Sequence, residues 1–194
     1  MASLLLKKEF ENQTFKKESC VGLSLRHKNF SHVTFESCDF SQIDFTSSRF
    51  LECKFFGCNL SLAKIDGCRL QGVEFENCKL VGVNFTKCDK MFLSLKFRKC
   101  LIGTSNFSDL DLRNTLFYEC MIRDTYFTEA NLASADFTRS DLIGSTFHNT
   151  DLTKANFVGA INYSINPLTN KLMKAKFSRP EVVALLDHLG IIIE

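Results

Sequence analysis

The chain has no tryptophan, and none of its apolar runs is long enough to cross a membrane. Its opening stretch, MASLLLKKEF, sets only three large apolar residues together before two lysines, too short a core for a secretory signal. There is no CxxC pair, Walker loop, GxGxxG or HExxH motif. The four histidines, His27, His32, His148 and His188, lie in unrelated phases and form neither a ligand set nor a nucleophile's partner. Net charge is small, +2 from 24 basic and 22 acidic side chains. These absences point to one soluble, cytoplasmic domain without a catalytic centre, cofactor or metal, and so to a protein that is not an enzyme.

What the chain does have is a period. In ADFTRSDLIGSTFHNTDLTKANF, residues 135–157, an apolar residue falls on every fifth position: Phe137, Leu142, Phe147, Leu152 and Phe157. An α-helix would scatter these about 140° apart, and a single strand would alternate them between its two faces. The spacing requires a chain that turns a corner once every five residues. The same position is apolar from Phe10 to Phe85, slips by two residues in KCDKMF, and is expected to resume at Phe92. This gives 30 central positions holding 18 of the 20 phenylalanines.

The residue two before each centre is the second signal. From Val33 onward it is nearly always small or apolar, as in Cys38, Ile43, Ser48, Cys53 and Cys58. Residues two apart share a face in extended chain, so both point inward while the other three meet water. Eight of the nine cysteines occupy this inner slot and Cys20 a central one, which assigns them all to the core in a reducing compartment. Cys38, Cys58 and Cys78 are expected to stack on one side. Lys90 is the one charged residue at an inner slot after residue 33, so the slip is expected to be a bulge or short loop, with Lys87, Asp89, Lys90 and Met91 as candidate loop residues.

The repeats ANLAS, ADFTR, SDLIG and TDLTK resemble the pentapeptide-repeat proteins, whose unit reads A(D/N)LXX. The resemblance covers roughly residues 8 to 163. It implies an all-β solenoid, a right-handed quadrilateral β-helix with four five-residue sides per coil. The domain reading is a β-helix over 1–163, slipping near 86–91, then a C-terminal capping and dimerisation segment over 164–194.

Within that segment Ser178 and Glu181 form a capping box with Pro180 in the first turn, and Gly190 is a stop, which predicts an α-helix over 180–189. Its apolar residues exceed what a plug for the open solenoid end requires. Val182, Val183, Leu185, Leu186 and Leu189, with Ile191 to Ile193 beyond, are therefore candidates for a homodimer interface. The succession of INP, a strand-like piece and a short helix ending in LGIII resembles the quinolone-resistance (Qnr) and microcin-immunity branch. That resemblance implies dimers through the C-terminal ends and protection of DNA gyrase or topoisomerase IV from poisons, in part by DNA mimicry. The chain departs from the branch in lacking large projecting loops and in its slightly positive charge.

The charge is unevenly placed. Residues 1–100 carry 16 basic and 11 acidic side chains, and residues 101–160 carry 4 basic and 8 acidic. At 20 residues per coil, Asp109, Glu129 and Asn149 form one column and Asp111, Asn131 and Asp151 the next. Asp109, Asp111, Glu129 and Asp151 are therefore the candidate gyrase-contacting residues. If a corner absorbs the slip, Arg49, Arg69 and Lys87 continue this edge toward the N-terminus. A general scaffold with another protein partner is the alternative. Direct nucleic-acid binding is a weaker third, because the basic residues are spread over several sides without interleaved aromatics.

Overall fold

A computed structural model describes the backbone of residues 2–191 and the side chains of 4–191. The chain winds into a right-handed parallel β-solenoid of about eight coils. Residues 20 apart pair in register, as Phe10 with Phe30 and Phe35 with Phe55. Each coil has four faces. The first carries Glu9–Glu11, Asn29–Ser31, Arg49–Leu51 and Arg69–Gln71. The second is the longest ladder, from Thr14–Lys16 through Leu116–Tyr118. The third carries Lys79–Val81, Leu101–Gly103 and Met121–Arg123. The fourth holds mostly single bridges such as Asp44 with Lys64 and Asn106 with Tyr126.

The inward alternation explains why phenylalanine dominates. Along the second face Phe15, Phe35, Phe55, Phe75, Phe97, Phe117, Phe137, Phe157 and Phe177 stack in one column, adjacent ring centroids 4.8–5.6 Å apart. Rings of neighbouring faces meet edge-on, as Phe117 with Phe127. Both arrangements suit the aromatic quadrupole.

Among the described residues, corners place 24 non-glycine residues at positive φ. That conformation costs about 1–2 kcal/mol per residue, offset by a ladder hydrogen bond from the corner N–H to the next coil, as in Lys17 N to Glu36 O at 2.8 Å.

The small inner slot has a polar duty. Ser48 Oγ accepts from Lys28 N (3.0 Å) and donates to Leu25 O (2.7 Å), joining two backbone groups of the preceding coil. Ser145 repeats the pattern with Thr125 N and Ile122 O. Cysteine does the same with longer sulfur contacts: Cys58 Sγ accepts from Cys38 N and donates to Phe35 O, both at 3.4 Å. All nine cysteines are buried and free.

The slip differs from its expected form. Phe92 is not a core centre. It sits at a left-handed corner (φ 61°) and is 62% exposed. Lys90 also points outward rather than into its inner slot, because its ammonium reaches Asp109 and escapes desolvation. Leu93 folds back against the core instead, and Leu95 resumes the ladder by pairing with Val73. The two extra residues are thus absorbed at the corner between the first and second faces.

The ends are covered differently. Helix Ala2–Leu6 lays buried Leu4 over the N-terminal coil, and buried Lys28 donates its ammonium to the carbonyls of Leu5 and Lys7. At the other end coil stacking continues beyond residue 163, with Phe147 pairing Ile165 and Phe157 pairing Phe177. Buried Asn170 bridges Thr150 N and Phe147 O there, taking the role serine has elsewhere.

The terminal helical segment is two 3-10 turns, Glu181–Leu185 and Asp187–Leu189, rather than one α-helix over 180–189. The capping box does not form, since Ser178 Oγ instead accepts from Gly159 N at 2.9 Å. Gly190 ends the segment at φ 66° as expected.

Candidate functional site

Two columns build the acidic edge. Asp109 and Glu129 lie at left-handed corners (φ 54° and 59°) and donate their N–H groups to Thr128 O and His148 O. Asp111, Asn131 and Asp151 pair in succession around that corner on the first face. Coil stacking therefore sets the carboxylates ~5 Å apart along the axis. The same edge holds Arg49 and Arg69, paired in register, and Lys87, whose carbonyl accepts from Gly67 N.

The charges on this edge are largely matched. Lys90 Nζ lies 2.7 Å from Asp109 Oδ2, and Lys171 Nζ 3.5 Å from Asp151 Oδ2. Arg113 grips Asp111 through Nε (2.8 Å) and Nη2 (2.6 Å), which holds that carboxyl below its ordinary range. At Asp151 partial burial pushes the pKa up, but hydrogen bonds from Thr153 and the nearby Lys171 outweigh it and lower it. Glu129 forms no ion pair among the described residues. Arg113 and Lys171 did not stand out in the sequence. The period contains the signal for Lys171, which lies one coil after Asp151, whereas Arg113 lies two residues further along the chain from Asp111, in the turn that follows.

The bulge adjoins this edge. Asp89 accepts from Met91 N (2.9 Å) and from Arg69 Nε and Nη2 (3.2 and 3.1 Å), and these bonds lower its pKa. Arg69 also lies over the Phe92 ring, 5.8 Å from its centroid. A shallow cleft of about 300 Å³ opens between Lys90, Phe92, Leu93 and the next coil's Asp111, Arg113 and Asn114. Lys87 pairs separately with Asp66 at 3.4 Å.

The C-terminal candidates divide. Leu185 and Ala184 pack on the core, and Val182 is half-buried. Val183, Leu186, Leu189 and Ile191 face outward at 38–54% exposure. Ile192 and Ile193 lie outside the described residues. No group of three or more histidine, cysteine or carboxylate side chains suited to a metal occurs among the described residues, and no helix there is long and apolar enough to cross a membrane.

Two family models match the sequence, a pentapeptide repeat region over residues 28–91 and pentapeptide repeats in eight copies over 122–159. Together they span more than half of the chain. The chain belongs to the pentapeptide-repeat family. No curated protein matches the sequence significantly. Among solved structures, this pentapeptide-repeat protein is similar to a trypsin-treated form of QnrB1, a plasmid-mediated fluoroquinolone resistance protein. The identity is 18%, 96% of this chain and 97% of that chain are covered, and the TM-score is 0.74. A second trypsin-treated form of QnrB1 matches with the same identity and coverage at a TM-score of 0.56. At that identity the likeness establishes a shared fold, and the chain resembles the Qnr branch in architecture.

Proposed function

We propose that this pentapeptide-repeat protein binds a type II topoisomerase, DNA gyrase or topoisomerase IV, and protects it from poisons such as quinolones or peptide toxins. The observation that carries the reading is the edge formed by Asp109, Asp111, Glu129 and Asp151. These exposed or half-exposed carboxylates recur at coil spacing on a rigid solenoid, as phosphates recur along a nucleic acid. The Qnr-like architecture and tail support it. In this reading the protein acts in the cytoplasm by binding, as a DNA mimic, and as a homodimer joined through Val183, Leu186 and Leu189. The bulge residues Lys87, Asp89, Lys90 and Met91 add contacts beside the edge.

A gyrase supercoiling assay with a fluoroquinolone, titrated with wild type, tests the reading. Protection should appear with wild type and vanish when the four carboxylates are reversed to lysine. A control reversing Glu36, Glu52, Glu74 and Glu76 should keep most of it. Absence of protection against several poisons would leave the scaffold reading. One observation favours that second reading: Lys90, Arg113 and Lys171 offset three of the four carboxylates.

A further inference from the structure

Six consecutive central positions, Phe30 through Phe55, carry phenyl rings. In the C-terminal half rings and aliphatic side chains alternate, so that the second and fourth faces keep phenylalanine from Phe97 to Phe157. Ile65 fits neither pattern. It stands on the fourth face between Phe45 and Phe85, with Leu60 at the centre before it and Leu70 at the centre after it. Beyond that gap the column is ring on ring, Phe85 on Phe107 at 4.3 Å and Phe107 on Phe127 at 5.4 Å. The inner slot is short of bulk at the same level, where Ala63 lies between Ile43 and Val83 in its column.

These shortfalls coincide with a void inside the solenoid. It lies between Phe45 and Phe85 and is lined only by apolar residues, Leu60, Ala63, Ile65 and Leu70 among them. A water-sized sphere has about 20 Å³ there in which to place its centre. Adding the sphere's ~1.4 Å radius gives a compact void of ~120 Å³. Leu60, Ala63, Ile65 and Leu70 keep 4–7% of their surface accessible, whereas Leu132, Phe137 and Leu142 in the regular half keep none. The backbone offers water no partner, since the N–H groups of Ala63 and Cys68 already donate to Leu60 O and Ile65 O at 3.1 and 2.9 Å. A cavity without polar partners stays dry and takes apolar guests.

We infer that this cavity is a binding site for a small, uncharged, apolar molecule such as xenon or a short hydrocarbon. The lining sets the chemistry, because a polar or charged guest would lose its hydration and find no hydrogen-bond partner in exchange. The volume sets the size, a little below that of the ~150 Å³ cavities that accept benzene or xenon. Entry requires neighbouring coils to part briefly. The first-face ladder ends at Arg69–Gln71, the strand that carries Leu70, so the backbone there is paired on one side by a ladder and on the other by a single bridge to Asp89. The inference is independent of the topoisomerase reading, which uses the outer surface.

The probe is xenon, applied under rising pressure to the methyl-labelled full-length protein and followed in carbon–proton correlation spectra. Saturable shifts are expected at the methyl groups of Leu60, Ala63, Ile65 and Leu70, with those of Leu132 and Leu142 unmoved. Ala63→Val should reduce the shifts at least about tenfold and raise the thermal midpoint by ~2–4 °C, as filling a void does. A valine already occupies the inner slot at Val33, Val73 and Val83. Leu70→Phe should act likewise, because it continues the stack of Phe10, Phe30 and Phe50, spaced 5.0 and 4.9 Å. It keeps the test decisive should Ala63→Val fail to fold. Ala135→Val, made at a fully enclosed slot in the regular half, should lower the midpoint instead through overpacking. Absent saturable shifts in the wild type, shifts spread evenly over the core methyls, or shifts that persist in a folded Ala63→Val or Leu70→Phe protein would overturn the inference.

Discussion

Phe127 is fully enclosed, stacked between Phe107 and Phe147 at 5.4 and 5.1 Å and met edge-on by Phe117 and Phe137. Truncation to alanine should leave a cavity and cost about 3–5 kcal/mol, with leucine costing less. Denaturant titration measures this, and an unchanged midpoint in Phe127→Ala would contradict the register. The cysteines supply a second test. Burial pushes the Cys53 and Cys68 thiols from near 9 to about 11 and about 12. A thiol that ionises more readily unfolded than folded stabilises fully below its unfolded pKa and loses that contribution as pH rises toward its folded one. The urea midpoint should therefore fall from about pH 9 upward, less steeply in Cys68→Ser. Serine retains the donor that Cys68 Sγ offers to Phe45 O but does not ionise in that range. Phe127 was legible as core because burial recurs at a fixed interval. Phe92 obeys the same spacing and lies outside, since counting residues does not reveal which corner absorbs an insertion.

The bulge and the two end caps were only partly legible as elements. The slip announced an irregularity, but Lys90 reaching Asp109, and Leu93 replacing it against the core, depend on contacts between coils. Removing the exposed bulge residues Met91 and Phe92 should preserve a folded solenoid, as circular dichroism would show, while weakening any partner that uses the cleft beside Arg113. Loss of cooperative melting in that variant would instead make the bulge part of the fold's support. At the N-terminus nothing in the spacing connects Lys28 with the helix Ala2–Leu6. Lys28→Met should remove the ammonium from the Leu5 and Lys7 carbonyls and speed amide exchange in the first coil, with central coils unaffected. At the C-terminus the apolar content was legible, and its 3-10 form was not, because Ser178 is drawn to Gly159 N and leaves the turn uncapped.

For the whole molecule, the solenoid places an acidic edge and an outward apolar end at the same half of one rigid body. Val183, Leu186 and Leu189 should join two copies there, so the full chain should sediment as a dimer at micromolar concentration. Removing residues 178–194 should yield monomers or aggregates, and a full-length monomer would exclude the dimer. The columns of carboxylates could be read from the period alone, but their partial neutralisation could not, since an ion pair depends on where long side chains settle. That neutralisation makes salt dependence the sharpest measure of the topoisomerase reading. Purified gyrase passed over the immobilised protein at rising ionic strength gives the affinity directly. Exposed charges are screened within about 10 Å at 0.1 M. Gyrase binding through this edge should weaken steadily with salt and fall at least about tenfold when Asp109, Asp111, Glu129 and Asp151 become lysine. Absent binding, or an affinity indifferent to both salt and charge reversal, would contradict it.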